Sequence, residues 1–255
     1  MGKASLSTFA VAALLAVNAV LSGCAKREPD RLVVLAAASM QGALDEVAAD
    51  WEAAGGSDVV ISYSATPSVA RQVAAGAPAD VIITSDDRWM NWLGAKDLLR
   101  GRSRAIAGNR LVVVAPRHSL SPVSIEQFAF SSVGGQIALA ETQSVPAGTF
   151  AQQALQQSGL WDRLQSRVVQ TDNVRGALAL AERGEVRLAI VYESDARLSQ
   201  NVRVVERIDT DLHRPIRYYA AIAAGSQSQA AREFLDYLSS EQGQARLASY
   251  GFERP

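Results

Sequence analysis

The stretch Leu32-Val33-Val34-Leu35-Ala36-Ala37-Ala38-Ser39-Met40-Gln41-Gly42-Ala43-Leu44-Asp45-Glu46-Val47-Ala48-Ala49-Asp50-Trp51 decides the fold class. Its first four residues are an apolar run with two β-branched valines, as expected of a short buried strand. A patch of small residues ending in Ser39 follows. The apolar spacing then changes. Leu44, Val47, Ala48 and Trp51 stand at i, i+3, i+4 and i+7, which predicts a helix over 41–54, with Gly55-Gly56 as its stop. A strand that feeds a helix through a small polar turn is the first half of a βαβ unit.

Downstream the same unit recurs. Val59 to Tyr63 reads as a strand, and Pro67 suits the first turn of a helix over 67–75. Val81 to Thr84 is a third strand, closed by Ser85-Asp86-Asp87, and residues 88–99 are helical on Trp89, Trp92, Leu93 and Leu98. Arg110 to Pro116 is a continuous apolar strand that carries the chain into a second set. That set has helices over 124–130, 147–157 and 174–183, and strands over 136–140, 167–169, 188–192 and 202–205. A strand over 216–223 and helices across 226–249 close the chain. The alternation predicts an α/β protein whose sheets are mainly parallel and flanked by helices. Residues 31–113 are expected to form lobe 1 and 114–213 lobe 2. Residues 214–255 are expected to return to lobe 1, because the closing helices need a sheet to cover.

Upstream, Lys3 precedes an apolar run from Thr8 to Leu21, too short for a spanning helix and suited to a cleaved export signal over 1–23. Leu21-Ser22-Gly23-Cys24 is similar to the lipobox of bacterial lipoproteins, which implies lipid on Cys24 and a polar tether over 24–30. Cys24 is the sole cysteine, so no intramolecular disulfide is possible. Loss of the leader leaves 232 residues, enough for two lobes of about 100 residues each. It also removes Lys3 and takes the net charge from −1 to −2. A nearly neutral chain is a poor nucleic-acid binder, which needs a basic face.

Five turns sit where strands feed helices, and ligands of open α/β sheets bind at such strand ends. Helix N-termini there offer unpaired N–H groups to an anion. The turns are Ser39, Ser64-Ala65-Thr66, Val145-Pro146-Ala147-Gly148, Asp172-Asn173-Val174 and Val191-Tyr192. More ordinary roles are available for the same residues. Ser39 suits a helix N-cap, Asp172 or Asn173 a second cap, and Tyr192 a packing position. Arg175 reads as a solvated first-turn residue or a partner for Asp172. Trp89 and Trp92 read as packing under the first lobe, and Asp86-Asp87 as an exposed turn. His118 and His213 stand far apart, so neither a zinc site nor a Ser-His-Asp arrangement is expected.

Ala36-Ala37-Ala38-Ser39, Ala75-Gly76-Ala77-Pro78-Ala79-Asp80-Val81, Val145-Pro146-Ala147-Gly148, Asp172-Asn173-Val174-Arg175-Gly176-Ala177-Leu178-Ala179-Leu180 and Ile190-Val191-Tyr192 with Ser194-Asp195-Ala196 occur in this order. Ser249-Tyr250-Gly251-Phe252 follows near the end. Together these motifs resemble the periplasmic molybdate-binding proteins of ABC importers, over roughly 31–253. The resemblance implies a two-lobe, type 2 periplasmic binding protein fold with its ligand in the cleft. It implies that Ser39 and Thr66 of lobe 1, with the backbone of Ala147 and Val174 and the phenol of Tyr192, hold the oxyanion. Relatives carry serine where Thr66 stands, so Ser64 and Ser68 are rivals for that role. The expected ligand is molybdate or tungstate, held through its oxygens without a protein–metal bond and with no cofactor. The expected partner is an ABC permease, and the protein itself is expected to be a monomer on the extracytoplasmic face of a membrane, held by its lipid. A binder of another oxyanion such as sulfate is the near alternative. A sensory module is a more distant one, as is an exported enzyme using Ser39 or Tyr192, for which no base is visible.

Overall fold

The computed structural model describes residues 31–119, 124–132 and 134–255. The expected leader, Cys24 and the tether lie outside them. The first sheet begins with β1 (Leu32–Ala37), α1 (Ala43–Ala53), β2 (Val59–Ser64), α2 (Thr66–Ala74), β3 (Val81–Thr84), α3 (Asp87–Gly94) and β4 (Leu99–Asn109). The second set is β5 (Leu111–Pro116), α4 (Ile125–Phe130), β6 (Ile137–Ala140), α5 (Pro146–Gln157), α6 (Trp161–Leu164), β7 (Val168–Thr171), α7 (Val174–Glu182), β8 (Leu188–Tyr192), α8 (Glu193–Leu198) and β9 (Val202–Arg207). β10 (Ile216–Ala223), α9 (Ala230–Ser239) and α10 (Glu241–Ser249) end the chain.

The strands form two five-stranded sheets of matching design, ordered β2-β1-β3-β10-β4 and β7-β6-β8-β5-β9. β1 pairs in parallel with β2 and β3, while β10 is antiparallel to both β3 and β4. β10 therefore runs alone against four co-directional strands. β5 does the same in the second sheet, antiparallel to β8 and β9, with β6 parallel to β7 and β8. The sheets are mixed by pairing and mainly parallel by direction.

The reversed strands are those that carry the chain between sheets. β4 passes through Arg110 alone into β5, and β9 returns through residues 208–215 into β10. The change of lobe expected at 113/114 thus falls inside β5. All of β5 hydrogen-bonds within the second sheet, so the chain changes sheets at Arg110.

Burial explains why the strand sequences read as unbroken apolar runs. β1 is covered on both faces: Leu32, Val34 and Ala36 pack into the larger core, and Leu35 into a second cluster with Val69, Ile82 and Met90. Leu111 to Ala115 of β5 are wholly buried. Each of the buried leucine and valine side chains contributes about 1.5–3 kcal/mol. One strand escaped the sequence reading. Leu99-Arg100-Gly101-Arg102-Ser103-Arg104 alternates arginine with small residues and carries little apolar signal, yet it opens β4, which pairs along β10 with two register shifts. The helix expected over 88–99 accordingly ends at Gly94. The short helices α6 and α8 were not expected either.

Candidate functional site

The same-direction strands of both sheets point their carboxyl ends at one another. β1 runs into a 3-10 turn, Ala38–Met40, that contains Ser39. β2 leads through Ala65 into α2, whose first residue is Thr66. The turn after β6 leads into α5, β7 leads into α7, and β8 ends on Tyr192. Ser39, Thr66, Ala147, Val174 and Tyr192, separated by up to 153 positions in sequence, line one small, tight cavity of about 10 Å³. That is far below the roughly 300 Å³ at which pockets for organic ligands usually begin. All five are 1–3% exposed. Ser64 and Ser68 line a neighbouring outer cleft with Arg71 and Glu141, so Thr66 is the hydroxyl the structure brings to the inner cavity.

Two lining residues were missed by the sequence reading. Ser85, at the end of β3, takes part in the wall, as does Asn173. Ser85 follows Val81-Ile82-Ile83-Thr84 much as Ser39 follows β1, so a strand-end hydroxyl was the available sign. The rest of the wall is Ala37, Ala38, Ala65 and Val145, and no charged side chain lines the cavity.

Local structure makes these groups donors. Pro146 occupies the first turn of α5, and no side chain caps that end, so the amides of Ala147 and Gly148 are left without a side-chain partner. The end of α2 is likewise uncapped. In α7, the Asn173 side chain accepts from Gly176 N–H at 3.1 Å, which occupies the third amide and leaves that of Val174 free of it. Asn173 rather than Asp172 is thus the cap. The Thr66 hydroxyl oxygen accepts from Ser85 N–H at 3.2 Å and shares a 2.9 Å hydrogen bond with the Ser85 hydroxyl. If Ser85 donates in that pair, both Thr66 lone pairs are filled and the Thr66 proton has only the cavity to go to. The Tyr192 hydroxyl is buried with no hydrogen-bond partner, although Ser85 is close enough to favour its ionised form. Burial dominates and pushes its pKa well above the usual phenol value, so it stays protonated and able to donate.

Charged groups stand behind this wall. Asp195 is fully buried and accepts from Tyr192 N–H at 3.2 Å. Burial raises its carboxyl to about 6, with Arg175 pulling the other way. Arg175 is not the solvated residue that was expected, nor does it pair with Asp172. Its Nε lies 2.9 Å from Asp195 Oδ1, and its Nη2 crosses the cleft to donate to Gln41 O at 2.9 Å. Trp89 packs with Trp92 against the second core cluster, as expected, and it has a further contact. Its Nε1 donates across the cleft to Ser144 O at 2.9 Å, and Arg88 donates to Gln143 O and Ser144 O. Asp86 is buried rather than exposed, because it caps α3 by accepting from Trp89 N–H at 3.2 Å. Burial raises its pKa. On the other side of the clasp, burial alone would raise the Glu141 carboxyl. Hydrogen bonds from the Ser144 hydroxyl and from the Gln143, Ser144 and Val145 amides outweigh it and hold the group below the usual carboxylate range. His213 packs near Phe150 and is not part of the cavity wall, and no cluster that could hold a metal ion occurs among the described residues.

The bacterial extracellular solute-binding protein profile matches residues 32–253, most of the chain. The chain belongs to that family. This solute-binding protein is 37% identical to the molybdate-binding protein ModA of Escherichia coli (strain K12), over 99% of each chain. It is 37% identical to ModA of Haemophilus influenzae (strain ATCC 51907 / DSM 11121 / KW20 / Rd), over 87% of this chain and 89% of the relative. Among solved structures, the Azotobacter vinelandii periplasmic molybdate-binding protein superposes with a TM-score of 0.79, covering 88% of this chain and 99% of that one at 23% identity. That likeness shows that the two chains share a fold. The relatives named here are binding proteins rather than enzymes.

Proposed function

We propose that this protein captures molybdate, and tungstate with it, in the cavity formed by Ser39, Thr66, Ala147, Val174 and Tyr192, and delivers the ion to an ABC permease. The observation that carries the proposal is the character of the wall: hydroxyls and helix-start amides from both sheets, and no charged side chain. A tetrahedral dianion without protons needs donors only, and several converging dipoles can replace a counter-charge. The full-length relatives named for molybdate binding support the same choice of ion.

The site binds and does not turn its ligand over. The Ser39 oxygen already accepts from Tyr218 at 2.8 Å, and the carboxylate nearest Tyr192, that of Asp195, is engaged by the Tyr192 amide, so neither hydroxyl has a base. The two sheets act as lobes that close on the ion. The chain works as a monomer on the extracytoplasmic side, anchored through lipid on Cys24 after removal of residues 1–23.

The deciding experiment is calorimetric titration of the purified protein with molybdate, tungstate, sulfate and phosphate. Tight binding of molybdate and tungstate, with phosphate far weaker, is the expected result. A preference for sulfate would reassign the ligand, and comparable phosphate affinity would mean that an acceptor lines the site.

A further inference from the structure

A chain of buried polar side chains outside the cavity lining ends on Ser39. Asn109 closes β4 and is 5% exposed, and Tyr218 lies wholly buried on β10. The N–H of Arg110 donates to Asn109 Oδ1 at 2.9 Å, which fixes the orientation of the amide. Its NH2 group therefore faces the other way, donating to Ser194 Oγ at 2.8 Å and to the Tyr218 hydroxyl at 3.4 Å. Because the Tyr218 oxygen accepts there, its proton is available, and it goes to Ser39 Oγ at 2.8 Å. Every link runs donor to acceptor towards the cavity, and such chains polarise one another. The ring is held edge-on by Tyr192 and Phe252, with centroids 6.0 and 5.3 Å away. Burial, then the charge of Asp195, raises the Tyr218 pKa far above the phenol range, so the hydroxyl keeps its proton.

We propose that Asn109 and Tyr218 are positioning residues that hold Ser39 as a donor towards the bound ion and so set the preference of the cavity for fully deprotonated oxyanions. The proposal rests on the molybdate reading above. A serine hydroxyl has one proton and two lone pairs. With Tyr218 donating into one lone pair, the Ser39 proton is directed away from Tyr218, on the side of the cavity. Without Tyr218's hydroxyl, Ser39 is free to turn its oxygen to the ligand as an acceptor. Hydrogen phosphate, which brings its own proton, gains from that freedom, and molybdate loses by it.

The test is a double-mutant cycle on the full chain, with Tyr218→Phe, Ser39→Ala and the double variant titrated with molybdate and with inorganic phosphate. Tyr218→Phe keeps the ring contacts and removes one hydroxyl. It is expected to lower molybdate affinity about tenfold while phosphate affinity holds or rises. In the Ser39→Ala background the same substitution should change molybdate affinity less than twofold. Asn109→Ala reads the chain from its far end and should show the same dependence on Ser39. Equal losses of molybdate affinity in both backgrounds, or losses shared alike by molybdate and phosphate, would mean that Tyr218 only packs. That would overturn the proposal and leave the molybdate reading intact. An unchanged protein that fails to bind molybdate would overturn both.

Discussion

Gly148→Ala should damage stability and ion binding together, although one methyl group is all that it adds. Gly148 lies in the first turn of α5, next to Ala147. A Cβ built there would stand 2.2 Å from Ala140 O, 2.3 Å from Glu141 O and 2.7 Å from Ala140 C, all of them backbone atoms that cannot swing aside as a side chain tip would. Carbon and oxygen normally approach to about 3.3 Å, so the helix start must retreat by about 1 Å from β6. Overpacking of this kind costs about 1–3 kcal/mol. For a domain of this size each kcal/mol lowers Tm by about 2–4 °C. The same retreat carries the Ala147 amide away from the ion. A hydrogen bond to a charged partner is worth about 1.5–3 kcal/mol, so molybdate affinity should fall at least about tenfold. Differential scanning calorimetry gives the first quantity and isothermal titration the second. An unchanged Tm with unchanged affinity would refute the reasoning, because it would mean that the close approach of α5 to β6 is not needed to place the Ala147 amide.

Further substitutions probe other parts of the site. Tyr192→Phe removes a hydroxyl that is buried without a partner, so the unliganded protein should be no less stable while molybdate affinity drops about tenfold or more; a fall in Tm without loss of affinity would contradict the assignment. Trp89→Phe deletes the 2.9 Å bond to Ser144 O across the cleft and should speed molybdate dissociation several-fold in stopped-flow measurements, about the worth of one hydrogen bond; an unaltered off-rate would show that this contact does not hold the lobes together. Asp195 has its folded pKa raised from 3.8 to about 6, so the folded state binds the proton more tightly than the unfolded chain. Its ionisation should therefore cost stability progressively as pH rises from about 4 to 6, by about 3 kcal/mol in full. Asp195→Asn should flatten that part of the denaturation profile, and an identical slope in the variant would count against a buried, destabilised carboxylate.

The alternation of apolar runs with 3.6-period segments announced two sheets flanked by helices, because the strands are covered on both faces and each helix buries one stripe. β4 was invisible for the converse reason. Arg100, Arg102 and Arg104 project from a strand whose opening half is largely exposed, so its pairing with β10 leaves little apolar trace. Ser39 and Tyr192 could be proposed because a hydroxyl at a strand end is a recognisable pattern. Ala147 and Val174 could not be selected from their side chains at all; the role proposed for them runs through backbone amides, and only the family resemblance pointed to them. Ser85 followed the same strand-end pattern as Ser39 and was read as part of a turn. Arg175 was misjudged, and the hydrogen bonds of Trp89 and Tyr218 were passed over, because the partners Gln41, Ser144 and Ser39 lie 134, 55 and 179 positions away. Contacts between residues so far apart along the chain leave no local imprint on sequence.

The absence of charged side chains from the cavity wall has a consequence for the molecule as a cargo carrier. Dipoles stabilise a dianion without cancelling it, so the loaded protein keeps both of the ion's charges. Residues 24–255 carry a net −2, and a bound molybdate doubles that. Loaded and empty forms thus differ in overall electric field. A transporter that meets both at the membrane surface has an electrostatic cue, felt over about one Debye length or some 8 Å at physiological salt, by which the filled carrier can be told from the spent one before any contact is made.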